Sequence, residues 1–529
     1  MSLDVRPDHL KIVLDILNTH VPDREVWAFG SRVTGSSKET SDLDLAIIGE
    51  TPLDFGTLAS LRDAFSESRI PYKVDVVDWS TIGETFKNII LKNKIVIKKN
   101  IEVKKIWPEF PLEKCMSTII DYRGKTPRKS TSGIPLITAK IIKAGRIEKP
   151  TEFIDQKEYI KWISRGISEP GDIVVTTEAP LGEVAQLNSQ KVALAQRVIT
   201  LRGKNGFLDN TFLKFLMQSD YIQDQLKSRA TGTTVVGIRQ SEIRKIWLPL
   251  PPLHEQRAIA HILGTLDDKI ELNRRMNETL EAMARAIFKS WFVDFDPVRA
   301  KAEGRDTGLP KEIADLFPDG FEESELGKIP RGWKIGELCD LAVQKRRNIQ
   351  PTKIEAETPY IGLEHMPRKS IALSEWAFSE SIESNKFEFN KGDILFGKLR
   401  AYFHKVGVAP VNGVCSTDIL VISPIKNEWF GFVLSHVSSD SFVEYTDLGA
   451  SGTRMPRTNW DHMKKYPLIV PSINVSEIFT SKISSLIGKL IENVHASKTL
   501  AGLRDTLLPK LLSGEIRVKD AEEYSELVL

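Results

Sequence analysis

Apolar residues follow one long pattern that occurs twice in this chain. From Ile259 they step through Leu263, Leu266, Ile270, Leu280, Ala284, Ile287 and Trp291, with Asn273 and Asn277 interrupting. Adding about 220 to each number lands on Phe479, Ile483, Leu486, Leu490, Leu500, Arg504, Leu507 and Leu511, with Asn493 and Ser497 in the interruption. The 3,4 spacing is that of a coiled-coil seam. It predicts long helices over residues 253–295 and 473–515 that pair antiparallel, with Ile270 and Leu490 near the middle of the contact. Asn273 and Asn493 at seam positions penalise slipped pairings. Upstream, Gly171-Asp172-Ile173 matches Gly392-Asp393-Ile394, Gly232-Thr233 matches Gly452-Thr453, and Lys245 with Pro251 matches Lys465 with Pro471. A unit this long repeated once is a duplicated domain plus helix, not a solenoid. It makes a pseudo-two-fold object suited to a ligand with two similar halves.

Shorter patterns fill the remainder. Residues 1–100 read as an α/β domain, with helical spacing over Asp8–Asn18 and short apolar strands at Val26–Gly30, Leu43–Ile48 and Val74–Val77. Residues 101–252 are mixed, strand-like at Ile134–Ile137 and Asp172–Thr176, helical at Asn210–Lys227, and closed by Pro249-Leu250-Pro251-Pro252. A connector rich in proline, glycine and acids spans 296–332, a second mixed domain 333–472, and a tail 516–529. The expected class is therefore multidomain, α/β and α+β, organised around two long helices.

Composition narrows the function. A content of 41% hydrophobic and 27% charged residues is that of an ordinary globular protein. No apolar run is long enough to span a bilayer and Met1–Leu10 lacks a signal-peptide core, so a cytoplasmic protein without a membrane partner is expected. Cys115, Cys339 and Cys415 are scattered, which supports neither a disulfide framework nor a zinc site. The formal net charge is only +2, so a nucleic-acid surface must be a local patch. The chain shows neither an Asn-Pro-Pro-aromatic methyltransferase motif nor a phosphate-binding Gly-Lys-Ser/Thr loop.

Several motifs along the repeat carry a resemblance. They are Tyr122-Arg123-Gly124-Lys125-Thr126-Pro127, Leu248-Pro249-Leu250-Pro251-Pro252-Leu253-His254-Glu255-Gln256, Trp291-Phe292-Val293-Asp294-Phe295-Asp296-Pro297-Val298 and Ile329-Pro330-Arg331-Gly332-Trp333. The chain resembles the specificity subunits of type I restriction-modification systems. The resemblance implies two target-recognition domains that each read half of a split DNA sequence, and two helices that act as spacer and docking surface. It also implies double-stranded DNA, two modification subunits and restriction/translocase subunits as partners, with S-adenosylmethionine and ATP bound by those partners. The subunit itself would be non-catalytic.

The two readers differ in charge: Thr177-Glu178-Ala179-Pro180-Leu181-Gly182-Glu183 in the first stands against Lys398-Leu399-Arg400-Ala401-Tyr402-Phe403-His404-Lys405 in the second. An asymmetric target follows. Candidate DNA-facing residues are Arg123, Lys125, Arg128, Lys140 and Arg239 in the first, and Lys345, Arg346, Arg347, Lys398, Arg400, Arg454 and Arg457 in the second. Phosphate contact is a commoner role than base readout for any one of them.

The first hundred residues bear a second signature: Gly30, Ser31, Arg32 and Gly35, then Asp42 and Asp44 in Ser41-Asp42-Leu43-Asp44. Two carboxylates at i and i+2 on one strand point the same way and suit Mg²⁺ against triphosphate oxygens, while the Gly-Ser turn offers backbone N–H groups to phosphates. Asp75 is the expected third acid, as a metal ligand or as a base for an attacking hydroxyl, with Asp78 the poorer choice because it lies past the apolar part of its strand. This segment resembles the minimal nucleotidyltransferases of the DNA polymerase beta-like superfamily, which implies Mg²⁺ and a nucleoside triphosphate as cofactors. The competing reading of the whole chain is an AMP-transferring, antitoxin-like enzyme tethered to DNA by its repeats. The extent of the repeat favours the specificity subunit.

Overall fold

Short β-branched runs bounded by turns build the first sheet. The strands are β1 Glu25–Phe29, β2 Leu43–Ile48, β3 Val74–Asp78 and β4 Ile95–Lys98, in the order β3-β2-β1-β4. β1 is antiparallel to β2 and β4, whereas β2 and β3 run parallel. Helices α1 Pro7–His20 and α3 Phe55–Ser66 cover it, and α2 Ser31–Thr34 and α4 Glu84–Lys92 complete the set. Val13 and Leu17 of α1, Leu61 and Phe65 of α3, and the inward Val26, Ala28, Leu43, Leu45 and Ile47 form one core. The buried ammonium of Lys98 donates to the carbonyls of Val21 and Arg24, both at 2.9 Å.

A computed structural model describes the chain apart from residues 1–2, 22–23, 36, 39–40, 50–51, 54, 99–106, 125, 189–190, 234, 379–382, 519–520 and 522–529, and the side chain at 55. The chain forms two compact units. One comprises Met1–Met116, Tyr221–Pro252 and Lys510–Arg517; the other comprises Ser117–Asp220, Leu253–Pro509 and Val518–Leu529. In the first unit, strand Trp247–Pro249 pairs antiparallel with Glu109–Pro111, and the Trp107 indole donates to Leu512 O at 2.9 Å. That pairing accounts for residues 221–252 belonging with the N-terminal segment.

The second unit shows the duplication directly. A four-stranded sheet orders Leu181–Gln186, Ile173–Thr177, Val198–Gly203 and Met116–Asp121, and its counterpart orders Val406–Val408, Ile394–Gly397, Ile419–Pro424 and Ala342–Lys345. Register agrees as well: Ile173 faces Leu201 and Ile394 faces Ile422, an offset of 221 at both residues. A second sheet, three-stranded in the first copy and five-stranded in the second, follows suit, with parallel pairs Ala193–Leu194 on Ile134–Ile137 and Gly413–Cys415 on Pro359–Ile361.

The long helices are Leu253–Phe292 and Ile473–Ser513. The first stops short of residue 295 because Phe295 takes a left-handed φ of 55° and a new helix, Asp296–Ala302, starts there. They pack antiparallel: Phe288 and Phe292 meet Phe479, Asn277 meets Asn493, and Asp267 meets Arg504. Ile270 and Leu490 both lie near the middle of the contact, but Leu490 is buried whereas Ile270 is only half-buried. Beyond Asn277 the inward positions are Glu281, Ala284, Phe288 and Trp291, with Leu280 and Ile287 only partly buried. A straight helix of period 3.6 drifts off a strict 3.5 repeat, and here Glu281 and Phe288 replace Leu280 and Ile287 on the buried face while Ala284 and Trp291 keep their places.

The asparagines form a polar layer inside this contact. Asn493 Nδ2 donates to Asn277 Oδ1 at 2.9 Å, Asn277 Nδ2 donates to Leu490 O at 3.3 Å, and Asn273 Nδ2 donates to Ser497 Oγ at 3.3 Å. Asn493→Ala strands the buried Asn277 carbonyl oxygen and should cost about 1–3 kcal/mol, seen as a lower thermal unfolding midpoint. The double change Asn277→Leu with Asn493→Leu should recover most of the loss. An unchanged midpoint for the single variant would refute this account of the layer.

Candidate functional site

Register brings the N-terminal acids together. Asp44 of β2 stands opposite Asp75 of β3, and also opposite Phe29, the residue before Gly30. Gly30 has φ +79°, and a Cβ there would fall 2.1 Å from Asp44 Oδ2, so only glycine lets the turn pass this close to the carboxylate. Val33 and Thr34 return their N–H groups to Gly30 O, forming α2, and Gly35 ends it in the left-handed conformation. Asp42 is exposed just before β2, and Asp44 and Asp75 are half-buried.

Electrostatics distinguish the acids. Burial, then the neighbouring charges of Asp75 and Asp42, pushes the Asp44 carboxyl above its ordinary value. Lys73 Nζ sits 2.6 Å from Asp75 Oδ1, and that hydrogen bond raises the lysine. Asp78 is engaged elsewhere: it accepts from Leu53 N at 2.6 Å, Ser80 N at 2.9 Å and Ser80 Oγ at 2.7 Å. Although burial opposes its ionisation, those donors hold it below the usual carboxylate range. Among the described residues, no three histidine, cysteine or acidic side chains are gathered tightly enough to hold a metal ion. The donor chemistry nonetheless suits Mg²⁺, because hard carboxylate oxygens repel one another here and lack a full set of counter-charges.

Arg32, grouped with the nucleotide-binding residues on sequence, faces the domain instead. The residue is 5% exposed, and its guanidinium donates to Ser41 O at 2.9 Å and Asp4 O at 2.8 Å and stacks 3.8 Å from the Tyr72 ring centre. It ties the N-terminal segment to the loop carrying Asp42. Sequence reasoning did not single out Lys73, though its position two residues before Asp75, just ahead of β3, was a readable signal.

The DNA-facing candidates also divide. Arg128, Lys140, Arg346, Arg347, Arg454 and Arg457 are exposed in the second unit, and Arg239 is exposed in the first. Lys125 lies outside the described residues. Arg123 is half-buried, and its carbonyl accepts from Arg165 at 2.8 Å. Lys398 and Arg400 are half-buried on the turn after Ile394–Gly397. Lys345 is a structural counter-ion: its ammonium lies 3.0 Å from Asp393, which is 7% exposed. The equivalent Asp172 is neutralised by Arg202 at 2.6 and 2.8 Å. A charge committed to a buried partner is not offered to a phosphate.

Residues 118–282 and 330–499 both match the family described as type I restriction modification DNA specificity domain. The chain belongs to that family. Residues 12–102 match the polymerase beta nucleotidyltransferase family, so this specificity subunit carries an N-terminal nucleotidyltransferase-like domain. Among curated relatives, the type I restriction enzyme MjaIX specificity subunit of Methanocaldococcus jannaschii is 26% identical over 373 residues, covering 68% of this chain and 81% of the relative. The probable protein adenylyltransferase MntA of Haemophilus influenzae is 54% identical over 98 residues, 18% of this chain and 86% of its own. The crystal structure of the type I system S subunit from M. genitalium aligns over 78% of this subunit and 97% of its own chain, at 16% identity and a TM-score of 0.45. Among the described residues, no helix is long and apolar enough to cross a membrane.

The raised Asp44 carboxyl has a measurable consequence. An acid whose folded-state pKa exceeds its unfolded value favours folding at low pH, and that contribution is lost as pH rises through the folded pKa, here above 3.8. At pH 7 the ionised group opposes folding, so Asp44→Asn should raise the domain's thermal midpoint there. The gain should vanish as the pH is lowered below 3.8. A variant less stable at pH 7 would contradict the assignment.

Proposed function

We propose that this specificity subunit reads an asymmetric, bipartite double-stranded DNA target, one half per mixed domain. The antiparallel helix pair sets the distance between the readers and serves as the docking surface for two modification subunits, with restriction/translocase subunits joining the assembly. S-adenosylmethionine and ATP bind those partners. The observation that carries this reading is the pair of equivalent sheets, both packed with one rod whose register is held by a buried polar layer. Readers borne on such a rod can enter major grooves about one turn, ~34 Å, apart. Leu272 and Met283, large apolar side chains exposed on the first long helix, suit protein docking.

Inserting one heptad into the first long helix alone should alter the gap between the two recognised half-sites, while each half keeps its bases. Sequencing the methylated DNA of the assembled complex reads this out. The same target with the same gap would rule out the helix pair as the ruler.

The N-terminal domain supports a second activity, nucleotide transfer to a hydroxyl. Asp42 and Asp44 would hold Mg²⁺ with Asp75 beside them, and the ion would neutralise triphosphate charge in the transition state. The Gly30-Ser31 turn lies against Asp44 and would border the phosphates. Asp42→Asn with Asp44→Asn should abolish Mg²⁺-dependent nucleotide transfer, followed with labelled ATP, and leave sequence-specific methylation by the assembled complex intact. A folded, assembled double mutant that loses methylation specificity would place this site in DNA recognition instead.

A further inference from the structure

The two readers can be superposed residue by residue at the turn that leaves the central strand. Thr177 N donates to Arg197 O and Lys398 N donates to Asp418 O, each at 2.9 Å, so Thr177 corresponds to Lys398 and Arg197 to Asp418. Two residues further on, both copies hold a non-glycine residue in the left-handed region, Ala179 at φ 48° and Arg400 at φ 53°. Such a conformation is unfavourable for a side chain bearing a Cβ. Its recurrence with unlike residues means that the turn geometry is maintained whatever side chain it carries.

The charges on this common frame are reversed. In the first reader Glu178 on the turn faces Arg197 across the strand pair at 3.2 Å. In the second, Lys398 on the turn faces Asp418 at 3.9 Å, and Arg457 holds the same carboxylate at 3.0 and 3.3 Å. Glu178 and Arg197 are 31% and 48% exposed, and Arg457 is 47% exposed, so all three can be reached from solvent. Nearby, Thr177 Oγ1, Arg400 Nε and Thr458 Oγ1 are sealed from solvent without a hydrogen-bond partner among the described residues. Buried polar atoms left unpaired are uncommon away from places where a ligand or water completes them.

We propose that these inverted pairs are specificity determinants, each discriminating one base pair of its half-site. This rests on the bipartite DNA reading above. In the first reader the Glu178 carboxylate, oriented by Arg197, accepts from the exocyclic amino group of cytosine in the major groove. In the second, the Arg457 guanidinium, oriented by Asp418, donates to O6 and N7 of a guanine. Arg197 and Asp418 are positioning residues. The same strand pair then presents an acceptor on its turn in one half-site and, in the other, a donor held by Asp418, which makes the target asymmetric without any change of fold.

The test uses the full chain assembled with its modification subunits and a randomised pool of DNA duplexes, from which bound and methylated sequences are read. Glu178→Ala should relax the preference at one base pair of one half-site by about ten- to hundredfold. Arg457→Ala should do the same in the other half-site, and in both cases the gap and the opposite half stay unchanged. Glu178→Gln and Arg457→Lys keep size and polarity, and should change the preferred base or weaken its preference at those same positions if the alanine variants fail to fold. For Arg457→Ala, a uniform loss of affinity across all sequences, with a shallower salt dependence, would mean a phosphate contact and overturn the proposal. So would base preferences unchanged in every variant. A wild-type complex without sequence-specific DNA binding would instead overturn the broader reading on which the proposal depends.

Discussion

Everything in the duplicated half depends on two hydrogen-bonded pairs buried between the long helices. Adding 220 to Asn273 and subtracting 220 from Ser497 turns the first pair, Asn273 with Ser497, into the second, Asn493 with Asn277. The pseudo-two-fold axis therefore passes between them. An amide in an apolar seam is tolerated only where its partner is met, and any slipped register leaves several such groups unpaired. Apolar contacts such as those of Phe288 and Phe292 with Phe479 provide adhesion, but they would tolerate sliding. The amides remove that freedom.

Away from the axis the two ends are held by different chemistry. Asp267 on the first long helix binds both Lys214 of the first reader and Arg504 of the second helix, and it is only 17% exposed. Adding or subtracting 220 turns that trio into Ile487, Leu434 and Ala284, all buried and apolar. Glu281, 3% exposed, instead accepts from Ser370 Oγ at 2.6 Å and Ala372 N at 3.3 Å, binding a loop of the second reader to the first helix. A charged end and an apolar end cannot be interchanged without burying an unpaired charge, so the two copies have lost the freedom to substitute for one another.

Much of this was legible in the sequence because period and offset survive divergence. The repeated seam, the Gly-Asp turns before the central strands and the Asp42, Asp44 pair all depend on local spacing, which folding preserves, whereas Asp75 meets Asp44 only through the parallel register of β2 and β3. What escaped depends on which side chain meets which in space. Arg32 looked like part of a phosphate-binding turn and proved to hold Asp4 O and Ser41 O, a contact no spacing rule encodes. Lys345 looked like a DNA contact and proved to neutralise a buried aspartate 48 positions away. Glu281 sat one residue off the expected seam, and its burial follows from the drift of a straight helix against a 3.5 repeat.

The offset between copies is 221 in the sheets, as at Ile173 and Ile394, and 220 along the helices, as at Asn273 and Asn493. One residue has been gained or lost before the rod begins. In a surface loop such a change is absorbed with little geometric effect. Inside a helix it would turn everything beyond it by about 100° and advance it by ~1.5 Å. Translation along the rod and rotation about it are thus a single screw motion, and no single-residue change in the rod can adjust reach without also turning the domain it carries.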